Sequence, residues 1–153
     1  MDELVIEELC CHDMVSIDQL SALFPTWKRK SILKKLKDTE RGKDKRIVAK
    51  IDGKMIGHLK IVFGKGLHKH RTTLTSLMVL PEHRKKGIAT AITKFALKNL
   101  PEKTKLVLLE VDEKSEPAIN LYKKLGFKEY GYLKKASILH GKIINNLLLE
   151  KSV

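Results

Sequence analysis

Between Thr72 and Val111 the chain changes its apolar period twice. Thr72 to Val79 reads as an extended segment. Ile88, Ala91, Ile92, Phe95 and Ala96 then recur at helical spacing and give a helix with one apolar face. Leu106-Val107-Leu108-Leu109-Glu110-Val111 follows as an apolar run, predicted to be a strand buried on both faces. Strand, helix and strand at this spacing form a right-handed crossover, so the two strands are predicted to be parallel.

The flanking segments extend this unit into a larger sheet. Arg46 to Ile51 meets Asp52-Gly53, a strong two-residue hairpin signal, and Lys54 to Phe63 returns. Gly64-Lys65-Gly66 leads through a basic connection into Thr72, so the middle of the chain reads as an antiparallel meander. Downstream, Ser115 is a good N-cap and Pro117 suits a first helical turn. Ala118, Ile119, Tyr122 and Leu125 line one face of that helix, and Gly126 stops it. Phe127 to Leu133 and Ser137 to Leu149, broken at Gly141, read as a final antiparallel pair. Upstream, Leu4 to Leu9 fits a first strand or the start of a helix, and is taken as a strand. Ser16 is taken as the N-cap of a helix ended by Pro25, and Thr26 or Ser31 as the start of a second helix. The order is strand, two helices, three strands, helix, strand, helix and two strands. It predicts an α/β fold with a mixed sheet and helices on both faces.

The length of 153 residues and an apolar content of 42% suit one domain with a real core. The acidic start Met1-Asp2-Glu3 has no apolar run after it, and no segment reaches the roughly 18–20 residues that span a bilayer. Adjacent Cys10 and Cys11 form only a strained bridge, so they read as reduced thiols of a cytoplasmic protein. No Cys/His spacing predicts a metal site. The net charge of +13 favours polyanions: nucleic acid, acidic lipid or a phosphorylated cofactor. The positive residues are mostly lysine, while sequence-specific DNA readers favour arginine, so a solvated Lys-rich surface is the simpler reading.

The chemistry concentrates at Arg84-Lys85-Lys86-Gly87-Ile88-Ala89, between a strand and a helix. A helix start exposes unpaired N–H groups and the positive end of the dipole. Gly87 lets an anion approach the backbone closely, and Ala89 keeps the next position small. Three cations there oppose the dipole unless an anion sits between, so the segment reads as a pyrophosphate cradle. It is neither a P-loop nor a dinucleotide-binding fingerprint.

Arg84-x-x-Gly87-x-Ala89 resembles the acetyl-CoA signature [QR]-x-x-G-x-[GA] of the GNAT (GCN5-related N-acetyltransferase) superfamily. Leu77-Met78-Val79-Leu80-Pro81 resembles its strand-to-loop lead-in, and Ala118-Ile119-Asn120-Leu121-Tyr122-Lys123-Lys124-Leu125-Gly126-Phe127 its second signature, A-I-x-L-Y-x-x-L-G-F. The clear match covers Thr72 to Tyr130, and residues 1–45 match only by element order. The resemblance implies a single N-acetyltransferase domain over residues 1–153, with a mixed, mostly antiparallel sheet. It also implies that the parallel fourth and fifth strands splay around acetyl-CoA. Backbone groups of Leu77, Met78 and Val79 would bond the pantetheine arm and polarise the thioester carbonyl. Amides of Arg84, Lys85, Lys86, Gly87, Ile88, Ala89 and Thr90 would hold the pyrophosphate. Tyr122 would contact the cofactor and protonate the departing thiolate. Glu110 matches the position of a base that takes the ammonium proton in protein-acetylating relatives. Ser115 stands where the family often has a cofactor-bonding Asn, and Ser reaches less far.

The function so implied is direct transfer of an acetyl group from acetyl-CoA to a primary amine, with no covalent acyl-enzyme and no metal. The acceptor is a peptide or protein N-terminus, a lysine, or a small amine or amino acid. His68, His70 and His83 rank below Glu110 as proton carriers because they read as exposed basic loops, and His12, His58 and His140 have no context that suggests a role. Two other classes compete: a basic nucleic-acid-binding module, disfavoured by an aromatic content of only 5%, and a GNAT-like protein that binds CoA without transferring anything. A monomer or homodimer is expected, with no membrane partner.

Overall fold

The computed structural model of the chain describes residues 3–10 and 14–153. Cys11 and His12, weighed above as a thiol and as a histidine without a role, lie outside them. The described elements are β1 (Leu4–Glu8), α1 (Met14–Leu23), α2 (Arg29–Glu40), β2 (Asp44–Ile51), β3 (Lys54–Phe63), β4 (Arg71–Val79), α3 (Ile88–Lys98), β5 (Leu106–Asp112), α4 (Glu116–Lys124), β6 (Lys128–Leu139) and β7 (Lys142–Ser152). Short 3-10 turns at Gly66–His68 and Pro81–His83 flank β4. The strands follow one another in the sheet as β1-β2-β3-β4-β5-β7-β6. The registered pair β4–β5 is parallel, over Arg71↔Leu106 to Thr73↔Leu108, and the pairs β1–β2, β2–β3, β5–β7 and β6–β7 are antiparallel. The predicted element order and the parallel pair are both present.

The chain folds as two compact units, one running up to Phe63 and including Thr75–Leu100, the other made of Gly64–Leu74 and Pro101–Val153. In the first unit, Asp52 and Gly53 both take positive φ, 50° and 76°, the turn that matches the twist of a two-residue hairpin. Ile17, Leu20 and Leu23 of α1 and Ile32 and Leu36 of α2 join Val48 and Met55 in one buried cluster. Ala49, the next residue along β2, points to the other face. There it shares the surroundings of Gly57 with Ile92 of α3: a Cβ on Gly57 would stand 2.7 Å from Ile92 Cδ1 and 3.3 Å from Ala49 Cβ. The missing side chain lets α3 lie close on β3. Thus α1 and α2 cover one face of the β2–β3 hairpin and α3 the other.

In the second unit, β5 runs antiparallel to β7 from Leu106↔Ser152 to Asp112↔Asn146. β7 returns from β6 through His140 and Gly141, both at positive φ. β6 is the edge strand, exposed along almost all of its length, and its register slips between Leu133 and Ser137.

Three local expectations fail. Helix α1 is already formed at Met14, so Ser16 sits inside it, and α2 starts at Arg29 behind Lys28, so neither Thr26 nor Ser31 caps it. Ser115 does hold the N-cap position of α4, but its hydroxyl makes no capping bond. The run in β5 is not buried on both faces. Val107, Leu109 and Val111 are buried, Leu106 and Leu108 are half-buried, and Glu110 is exposed. An unbroken apolar run does not distinguish two covered faces from one.

Candidate functional site

The first unit carries the predicted anion cradle. The backbone of Leu80 continues the sheet by donating to the carbonyl of Ile56 at 2.9 Å, and a 3-10 turn over Pro81–His83 follows. Lys85 takes φ 59° and Gly87 φ 76°, so two left-handed residues coil the chain immediately before α3. Helix α3 begins at Ile88 with no side-chain cap and no acidic residue in its first turn, and Ala91 makes the first intrahelical bond, donating to the carbonyl of Gly87 at 3.0 Å. The amides of Ile88, Ala89 and Thr90 precede that bond and point out of the helix start. A Cβ on Gly87 would meet nothing within 4 Å, so the space beside this glycine at the helix start is open. Turns of this kind make concavities of N–H groups suited to phosphate. The residues present therefore fit the diphosphate of a coenzyme.

The guanidinium of Arg84 has another task. Its Nε donates to the carbonyl of Val79 at 2.9 Å, and Nη2 lies 3.9 Å from Met78 Sδ. The arginine of the signature thereby ties the cradle to the end of β4, where Leu77, Met78 and Val79 lie. Ser76, just before them, is a serine at φ 56° in the left-handed region, a conformation that costs a non-glycine residue about 1–3 kcal/mol. It bends the strand where the Leu77–Val79 segment begins. His83 also departs from expectation: it is half-buried, and its Nδ1 is enclosed without a hydrogen-bond partner.

The second unit carries the predicted proton-transfer groups. Tyr122 is buried on α4, edge-on to Phe127 at 5.7 Å between ring centres. The turn Leu125-Gly126-Phe127 closes around it, with Leu125 and Phe127 both donating to its carbonyl. Burial pushes the phenol up to about 12, so it holds its proton at neutral pH. Lys151 Nζ would stand 2.6 Å from a Cβ on Gly126, whose φ is 91°. The left-handed turn calls for glycine there, whereas the flexible end of Lys151 could move aside.

Glu110 is exposed, so it is not the buried charge that the apolar run suggested. Its Oε2 accepts from Asn146 Nδ2 at 3.1 Å, and the same amide reaches Ser137 Oγ at 3.4 Å. Asn146 is buried, and its Oδ1 has no partner. Beside it in sequence, Asn145 donates from Nδ2 to Glu113 Oε1 at 3.0 Å, and Tyr132 donates to Glu113 Oε2 at 2.8 Å. These two bonds, Asn145 first, hold the Glu113 carboxyl below its ordinary range. Asn145 Oδ1 accepts from the amide of Lys135, which stands at φ 53° inside the irregular stretch of β6. Asn145, Asn146, Glu113 and Tyr132 escaped the sequence reading. Two asparagines inside the apolar β7 sequence Ile143-Ile144-Asn145-Asn146-Leu147 are the signal that could have found them.

The first unit can hold an anion on backbone amides, and the second can keep a phenol protonated and present a carboxylate to a cation. The family model described as "Acetyltransferase (GNAT) family" matches residues 12–127. An N-alpha-acetyltransferase of Sulfurisphaera tokodaii is 39% identical over 97 residues, 57% of this chain and 58% of the relative. A spermidine N(1)-acetyltransferase of Escherichia coli K12 is 32% identical over 105 residues, 67% of this chain and 55% of the relative. The chain thus spans a little over half the length of these relatives. In fold, the chain resembles the crystal structure of spermidine N-acetyltransferase from Vibrio cholerae in complex with CoA and spermine, with a TM-score of 0.79 and 19% identity over 97% of this chain and 95% of that one. On the match over residues 12–127, this chain belongs to the acetyltransferase (GNAT) family.

Proposed function

We propose that the chain is an N-acetyltransferase that moves the acetyl group of acetyl-CoA to a primary amine by direct attack. The observation that carries this reading is the uncapped start of α3, opened by left-handed residues at Lys85 and Gly87 and facing clear space. Its amides bind the diphosphate, and the backbone of Leu77 to Val79 takes the pantetheine arm as an added strand. Both units work as a single domain in this scheme. Glu110, oriented by Asn146, accepts the proton of the acceptor ammonium, directly or through a water. Tyr122 delivers its retained proton to the departing thiolate. Ser115, whose hydroxyl makes no capping bond, faces a cofactor contact shorter in reach than the asparagine usual in the family.

The relatives named for N-alpha and spermidine acetylation act on different acceptors, but both acceptors are amines. Carboxylates at Glu110, Asp112 and Glu113 give this strongly cationic chain a local region suited to an ammonium group. Mixing the chain and acetyl-CoA with a panel of a free peptide N-terminus, a lysine peptide and spermidine, while reading free thiol, tests the proposal. Release with one class of amine supports it. CoA uptake without release from any amine would make the chain a coenzyme binder only, and salt-dependent nucleic-acid binding without CoA uptake would make it a basic binding module.

A further inference from the structure

β4 carries a serine, Ser76, in a conformation that glycine or asparagine adopts more readily. It persists only if its surroundings hold it. The Ser76 carbonyl lies 2.9 Å from Nδ1 of His58, a fully buried histidine on β3. A carbonyl only accepts, so Nδ1 carries the proton. On the other side of the ring, Nε2 lies 3.0 Å from Nη1 of Arg46 on β2. A guanidinium only donates, so Nε2 accepts. One neutral tautomer satisfies both contacts, and burial, which pushes the imidazole down to about 4, keeps it neutral.

Arg46 is fixed in turn. Its Nε donates to Thr39 Oγ1 of α2 at 3.0 Å, and that hydroxyl donates to Asp44 Oδ1 at 2.5 Å. Lys60 pairs with the second Asp44 oxygen at 3.5 Å. The edge of the Phe24 ring closes the remaining side, 5.1 Å from His58 between centres. A chain of hydrogen bonds thus runs from α2 through β2 and β3 to the bend in β4. Burying a cation and an imidazole is costly, and a core of this size could be filled with aliphatic side chains.

We propose that His58, oriented by Arg46, is a positioning residue for coenzyme binding: it fixes the Ser76 carbonyl and so the bent backbone that presents Leu77 to Val79. This rests on the acyl-coenzyme reading of β4. His58 touches neither reactant, so its loss acts through the bent backbone and weakens coenzyme affinity.

Calorimetric titration with CoA of the wild type, His58→Leu, His58→Asn and Phe24→Leu tests the proposal. His58→Leu keeps apolar volume without the donor and is expected to bind about tenfold more weakly. His58→Asn, whose amide nitrogen can replace Nδ1, is expected to stay within about threefold of the wild type. Phe24→Leu loosens the same core but leaves the donor, and is expected to bind as the wild type does. Wild-type affinity in His58→Leu, or equal weakening in His58→Asn, overturns the proposal. Should His58→Leu fail to fold, the ring nitrogens of His58 in the wild type, read by NMR, answer instead. A proton on Nδ1 is expected, and one on Nε2 overturns the relay. A wild type that takes up no CoA removes the acyl-coenzyme reading itself and the positioning role with it. A binding wild type beside an unaffected His58→Leu removes the relay alone.

Discussion

The two halves of the candidate machinery are made of different materials. The part proposed to hold the coenzyme, in the unit containing β2, β3 and α3, is backbone: amides at a helix start, left-handed residues at Lys85 and Gly87, and a left-handed strand residue at Ser76. The part proposed to move protons, in the unit containing β5, α4 and β7, is side chain: Glu110 with Asn146, Glu113 with Asn145 and Tyr132, and the phenol of Tyr122. A backbone site constrains only those residues whose bulk or φ interferes, so it leaves a short local signature. A side-chain site is assembled from distant segments and changes with the acceptor.

That contrast can be broken experimentally. The largest expected effect is on stability. His58 falls from 6.5 to about 4 on folding. The unfolded chain therefore takes up the proton first, and the stability associated with a neutral His58 is complete above about pH 6.5. It is lost as the pH falls toward about 4, by an amount on the order of 3 kcal/mol. Denaturant melts across that window should show the loss, and His58→Asn should flatten it. A wild-type midpoint that does not move would contradict the buried neutral histidine.

Next in size is catalysis. Tyr122→Phe should slow thiol release by roughly 10²-fold or more, with CoA affinity within about threefold. An unchanged rate would remove the phenol from the chemistry. Gly87→Val should weaken CoA binding by about tenfold, because it places a branched side chain in front of the amides and at a φ of 76°. The smallest effect should follow Asn146→Ala, which leaves Glu110 without its amide partner. About a fivefold fall in the rate at saturating coenzyme, with unaltered CoA affinity, would assign Asn146 to the acceptor side. A change in CoA affinity instead would blur the division between the two materials.

The same division explains what was legible in the sequence. Lys54–Phe63 as the return strand, the Asp52-Gly53 hairpin, the α3 stripe and the Gly87 corner were all readable, because each depends on local φ or on short-range apolar spacing. The starts of α1 and α2 were not. Ser16 falls inside α1, Lys28 at the N-cap of α2 makes no side-chain cap bond, and tertiary packing of Ile17, Leu20 and Ile32 sets those helices. Glu110 was singled out by position but placed in the wrong environment, because the exposure of one face of β5 depends on what lies far along the chain. His58 was passed over because a lone histidine in an apolar strand has no local partner; Arg46, 12 residues away, and Ser76, 18 residues away, supply its meaning. Asn146 lies 36 residues from Glu110 and was missed for the same reason.

The central claim is that a diphosphate rests on the uncapped amides where the chain turns into α3. A crystal structure of the chain grown with CoA tests it most directly. The expected result places phosphate oxygens roughly 2.7–3.2 Å from amide nitrogens between Lys85 and Thr90. A coenzyme bound elsewhere, or that corner filled by the chain's own side chains, would contradict it.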